Sequence, residues 1–81
     1  MKPLNYKKVI KILKNLGFEH ARKIATSHEA WRFFRNGRWH SVTVCFHGQK
    51  HQFPPNTLKS MIRQSGFSEE KFYKALKKRQ K

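Results

Sequence analysis

The segment HEAWRFFRNGRWHSVTVCF, residues 28–46, decides the fold. At its centre, Asn36-Gly37 is a two-residue turn signal, because both residue types tolerate the positive φ of a tight hairpin. The flanking runs are rich in aromatic and β-branched residues, which suit a pleated, half-buried surface. His28–Arg35 is therefore expected as one strand and Trp39–Phe46 as its antiparallel return. On the return strand Val42, Val44 and Phe46 share one face, and Thr43, Cys45 and His47 share the other. The valine face is expected in the core. On the outgoing strand Trp31 and Phe33 alternate with His28, Ala30 and Phe34. Both rows are partly apolar, so parity alone does not decide which is buried; Trp31 and Phe33, or Trp39, are expected to contribute to the core.

Outward from this hairpin the period changes. Phe18–Ala25 is a plausible first strand, although its alternation is poor. Before it, Tyr6, Val9, Ile10, Leu13 and Leu16 fall on one face of a helix over residues 5–16. Asn5 can cap its start and Gly17 can close it in a left-handed conformation. After the hairpin, residues 47–52 form a polar loop, and Pro54-Pro55 is expected to hold off regular helix until the next residue. Asn56 or Thr57 would then cap a second helix carrying Leu58, Met61 and Ile62, ended by Gly66. Ser68 is expected to cap a short third helix. Its first turn holds Glu69 and Glu70 and its end holds Lys77, Lys78 and Arg79, which suits the dipole at both ends. Phe72, Tyr73 and Leu76 give it an apolar side. The expected class is α+β: a helix, a three-stranded antiparallel sheet and further helices, with the helices on one sheet face and the other face open.

With 81 residues the chain has room for one small domain, residues 1–81, with a basic tail from about residue 77. Lys and Arg number 19 against 4 acidic residues, a formal net charge of +15. So strong a positive balance points to a polyanion, most simply nucleic acid. An acidic protein or anionic lipid surface would also satisfy it. No apolar run is long enough for a membrane span, and no secretory signal is visible. The single cysteine, Cys45, is consistent with a reducing compartment.

The residue inventory excludes several chemistries. The chain has no Asp, and its carboxylates are Glu19, Glu29, Glu69 and Glu70, too few and too scattered for two-metal nuclease or glycosidase chemistry. Five histidines invite a metal site, yet no CxxC or HExxH pattern exists, and the His47/His51 pair lies in a Gly-containing loop. No metal and no cofactor are expected. What remains is acid–base work by histidine on RNA, whose 2′-hydroxyl is a built-in nucleophile. Lys and Arg can stabilise the charge that builds on the phosphoryl oxygens, and neighbouring cations favour the neutral form of an imidazole.

Four stretches then resemble the HicA-type toxins. Leu13–Phe18 is similar to the end of their first helix, and Thr26-Ser27-His28 resembles their Gly-Ser-His motif. Val42–Gly48 resembles their third strand, and Asn56–Glu70 their last helix and its tail, in one order over about residues 8–74. Three departures stand out: Thr26 in place of the motif glycine, Cys45 where proline is usual, and Pro55-Asn56 in place of a Lys-Gly pair.

The resemblance implies a double-stranded-RNA-binding-like α-β-β-β-α fold and the toxin of a bacterial toxin–antitoxin pair. That toxin is a ribosome-independent, metal-independent endoribonuclease, an mRNA interferase of the cytoplasm, which arrests translation and growth. The motif histidine, here His28, is implied as the catalytic residue. The implied partners are mRNA and a HicB-type antitoxin that covers the active site. Candidate RNA-binding residues are Arg22, Lys23, Ser27, Arg32, His47 and Lys50; for any single one, a solvated face or a turn is the ordinary alternative. The sheet aromatics are candidates for the antitoxin interface as well as for core. The competing reading of the whole chain is a non-catalytic RNA-binding module of the same fold.

Overall fold

The computed structural model describes residues 2–25, 27–46, 48 and 50–77. Helix α1 (Tyr6–Leu16) precedes strands β1 (Glu19–Ala25), β2 (His28–Arg35) and β3 (Arg38–Cys45), followed by α2 (Pro55–Ser65), α3 (Glu69–Lys74) and a 3-10 turn at Ala75–Lys77. The sheet is antiparallel in the order β1-β2-β3. This is the α-β-β-β-α arrangement expected from the sequence.

The hairpin forms where the turn signal placed it. Asn36 has φ 54° and Gly37 φ 78°, and from there β2 and β3 pair without interruption, Arg35 opposite Arg38 through to His28 opposite Cys45. Strand β1 is less regular. Its register against β2 shifts between His20 and Arg22 and again between Lys23 and Ala25. Each shift adds an unpaired residue and resets the alternation, which is why this stretch carries no clean period of two. The bulges also blunt an edge strand whose described side chains are exposed.

Trp31, Val42 and Val44 join Val9, Ile12, Leu13, Leu58, Met61, Ile62 and Phe72 in one buried cluster, so the helices cover the face that carries the valines. Phe33 packs partly buried against the same cluster. Parity is thereby settled: Glu29, Trp31 and Phe33 face the helices, and His28, Ala30, Arg32 and Phe34 face away. One alternative is decided and one expectation corrected. Trp31 and Phe33, rather than Trp39, contribute to the core; Trp39 is 59% exposed, because it stands opposite Phe34 on the uncovered face. Phe46, in line with the valines, is 41% exposed because it lies past the end of β3, where its ring meets Tyr6 edge-on at 4.7 Å.

Helix α1 starts at Asn5, whose side chain accepts the Lys8 N–H, and stops at Gly17 with φ 109°. A Cβ at Gly17 would lie 2.9 Å from the Phe33 ring, so glycine is required for space as well as for conformation. The buried arc of α1 is wider than one stripe and includes Ile12 and Asn15. The reason is that α1 also packs against the C-terminal turn, where Asn15 Nδ2 donates to the Ala75 carbonyl at 2.7 Å.

The start of α2 corrects the sequence reading. Its cap is Pro54, without a side-chain hydrogen bond, and Pro55 is already helical. Proline suits the first helical position because its missing N–H is not needed there. The chain just before α2 runs beside the chain just before α1, with Phe53 N–H donating to the Leu4 carbonyl at 2.9 Å. Ser68 caps α3 through the Lys71 N–H, with Glu69 and Glu70 in its first turn, as expected. Lys77 closes the 3-10 turn; the tail expected beyond it, with Lys78 and Arg79, lies outside the described residues.

Candidate active site at the start of the middle strand

His28 opens β2, directly after the β1–β2 connection, with Ala25 of β1 on one side and Cys45 of β3 on the other. Its backbone is held on both sides. The ladder to β3 continues past the strand, since Phe46 N–H donates to the Ser27 carbonyl at 2.6 Å. Ser27 Oγ stands 3.3 Å from His28 Nδ1. With Nδ1 engaged by this hydroxyl, Nε2 is the ring nitrogen left to exchange a proton with a ligand.

A pocket of about 270 Å³ opens beside the half-buried imidazole, lined by Tyr6, Lys23, Ser27, His28, Glu29 and Phe46. Glu29 sits opposite Lys23 in the β1–β2 register and turns toward the helices. A buried carboxylate needs donors, and Glu29 Oε1 has two: the Tyr6 hydroxyl and Trp31 Nε1, each at 2.7 Å. Partial burial, then the Glu29 hydrogen bond and charge, push the Tyr6 phenol up to about 12, so it stays a donor at any physiological pH. Lys23 forms no ion pair among the described residues, which leaves its ammonium at the pocket as an unspent cation.

The pocket therefore brings together three residues singled out from the sequence, His28, Ser27 and Lys23. Arg22 and Arg32 lie outside it. Arg22 is exposed opposite Ala30; Arg32 pairs with Glu19 at 3.3 Å and stacks over Trp39 at 4.9 Å. Lys50 is exposed in the loop before α2 and does not line the pocket. His47 and the motif position Thr26 lie outside the described residues. Among the described residues no three His, Cys, Asp or Glu side chains converge as metal ligands.

Sequence reasoning missed Tyr6, Glu29 and Phe46 as pocket walls. Tyr6 read as one more apolar position of an amphipathic helix, and Glu29 as an ordinary strand residue. The signal becomes usable only once packing has fixed which row of β2 faces the core. Glu29 shares a row with Trp31 and Phe33, and a carboxylate in a core-facing row requires hydroxyl or indole donors nearby. Two larger hollows, of about 530 and 460 Å³, flank α3, but neither is lined by a histidine.

The pocket sets an imidazole beside a lysine that has no ion pair among the described residues, an arrangement able to act on a phosphodiester. Comparison with protein families gives a match, over residues 6–67, to the model described as the HicA toxin of bacterial toxin–antitoxin systems. That span holds all three strands and every pocket residue. No curated protein matches the chain.

Proposed function

The chain belongs to the HicA family of bacterial toxins, and from that premise we propose that it is a metal-independent endoribonuclease that cleaves mRNA through His28. The observation that supports this most directly is that the motif imidazole and a lysine with no ion pair among the described residues line one pocket. In this reading His28 Nε2 takes the proton of a ribose 2′-hydroxyl. The freed oxygen attacks the adjacent phosphorus; the O2′–P bond forms and the P–O5′ bond breaks. The departing 5′-oxygen is protonated by the imidazolium, which restores the neutral histidine, or by water, whose hydroxide then takes the proton from the ring. Lys23 lies against the negative charge that grows on the non-bridging oxygens. Ser27 acts as a positioning residue, holding the ring through Nδ1. No ion is required, because the nucleophile comes with the substrate and the counter-charge with the protein.

The toxin's partner in this reading is a HicB-type antitoxin that covers the His28 pocket, and the pair resides in the bacterial cytoplasm. The test is the chemistry of the ends. Cleavage of a defined RNA in excess EDTA is expected to leave 2′,3′-cyclic phosphates, and a single 2′-deoxy substitution at the scissile residue is expected to protect that bond. Cleavage of the deoxy-substituted bond at an unchanged rate would rule out the 2′-hydroxyl route. Binding of RNA with no cleavage under any condition would leave the competing reading, an RNA-binding module.

A further inference from the structure

The sheet face turned away from the helices carries an aromatic pair that the core does not use. Phe34 is 53% exposed and Trp39 59% exposed. They stand opposite each other across the β2–β3 pair, ring centroids 5.1 Å apart and inclined at 63°. Large exposed rings held against each other on a sheet are costly to leave in water without a use. The Arg32 guanidinium lies over Trp39 at 4.9 Å, and Arg22 is exposed farther along the same face. Arg32 is also paired with Glu19, but both side chains are more than half exposed. Such a pair is weak, and Arg32 can exchange its carboxylate for a phosphate.

His28 belongs to the same row of β2 as Arg32 and Phe34. Between it and the rings the face is floored by short side chains, Ala30 from β2 with Ser41 and Thr43 from β3. The one long side chain on the path is Arg32, a cation drawn over Trp39. The rings lie six positions from His28 along β2, about 20 Å at the rise of an extended strand.

We propose that Phe34 and Trp39 form a base-stacking subsite for single-stranded RNA, whose backbone runs along the open sheet face to the His28 pocket. The inference rests on the ribonuclease reading for what happens at His28, but binding at the rings stands without it. A stacking subsite requires a free base face, which paired bases inside a duplex do not offer, so the ligand is an unpaired stretch. The separation calls for about four nucleotides or more, within the range of single-strand sites. RNA is preferred to a protein occupant because of charge. The chain carries a net +15, and the cations that flank the rings are arginines, which stack on aromatics and fork onto phosphates alike.

The test reads affinity from the fluorescence anisotropy of end-labelled RNA titrated with the full-length His28→Ala chain, using a single-stranded oligouridylate of about ten nucleotides and an RNA duplex of the same length, with tryptophan emission of the same samples as a second readout. Trp31 is buried, and a change in emission is assigned to Trp39 when Trp39→Phe removes it. The single strand is expected to quench the emission. Trp39→Ala and Phe34→Ala, both at exposed positions, are expected to weaken single-strand binding about tenfold or more while duplex binding holds; Trp39→Phe is expected to lose less. Unchanged single-strand affinity in both alanine variants overturns the proposal, as does an equal loss on the duplex. Unchanged RNA affinity with weakened binding of a co-expressed antitoxin would make the patch a protein interface and overturn it equally. Because cleavage is not read, an inert His28 cannot mimic any of these results.

Discussion

The Tyr6 hydroxyl donates to Glu29 Oε1 at 2.7 Å and so ties the first residue of α1 to the second residue of β2, one position from His28. The contact spans 23 residues of sequence and fixes one wall of the pocket. Trp31 Nε1 holds the same oxygen, so the carboxylate bridges helix and sheet. The site's shape thus depends on a buried acid that takes no direct part in the proposed reaction.

Tyr6→Phe is expected to cost about 1–2 kcal/mol, since it deletes a hydrogen bond to a charged, buried acceptor while leaving the ring contact with Phe46. Chemical denaturation at neutral pH measures it. The alkaline behaviour follows from the phenol, raised from 10.0 to about 12. Between those values the folded chain holds a proton that the unfolded chain has released. The group's stabilisation is therefore complete below pH 10 and is lost as pH rises toward 12. Tyr73 is also raised, by burial and then the Glu69 charge, so ultraviolet titration should show a step toward pH 12 that Tyr6→Phe removes while the Tyr73 step stays. An early and uniform titration in the wild-type chain would contradict the buried bridge.

Gly17→Ala is expected to destabilise by at least about 1 kcal/mol, a fall in Tm of roughly 4–8 °C for a domain of this size. Two causes add: the left-handed φ of 109° and a Cβ forced to 2.9 Å from Phe33. Gly37→Ala shares the positive φ but meets nothing within 4 Å, so its cost should be smaller. Equal losses in thermal melts would show that the approach of α1's end to β2 carries no steric constraint.

Lys23 and Arg22 are neighbours in sequence but differ in place: Lys23 lines the His28 pocket, and Arg22 stands on the open face opposite Ala30. Lys23→Ala is expected to lower kcat on the order of 10-fold to 100-fold with a modest change in KM, because its cation serves the transition state. Arg22→Ala is expected to raise KM and flatten the salt dependence of binding by about one phosphate contact, with kcat nearly kept. Indistinguishable kinetic effects would mean that both act as general surface charge.

The hairpin and the caps were legible because each rests on a local rule. Asn36-Gly37 needs only its own φ values, and Asn5, Gly17 and Ser68 satisfy helix ends within three residues or so of themselves. The face of β2 was not legible, because Trp31 and Phe34 have similar apolarity and only packing chooses between them. Strand β1 was indistinct for a physical reason, its two bulges. The start of α2 departs from the expectation because proline, a barrier inside a helix, is an initiator at its first position. At the site, the motif singled out Ser27 and His28, and the charge pattern Lys23. Tyr6 and Phe46 reach the pocket from far along the chain, and nothing local to either announces it.

The central claim is that one imidazole cuts RNA without an ion. The most direct measurement is the cleavage rate of a defined transcript by the purified, antitoxin-free chain and by His28→Ala, both in excess EDTA, with circular dichroism to show that the variant is folded. The wild-type chain is expected to cut and the variant to be slower by about 10² to 10⁴-fold, with RNA affinity largely retained. A folded variant that cuts at the wild-type rate, or a wild-type chain that leaves every transcript whole, would contradict it.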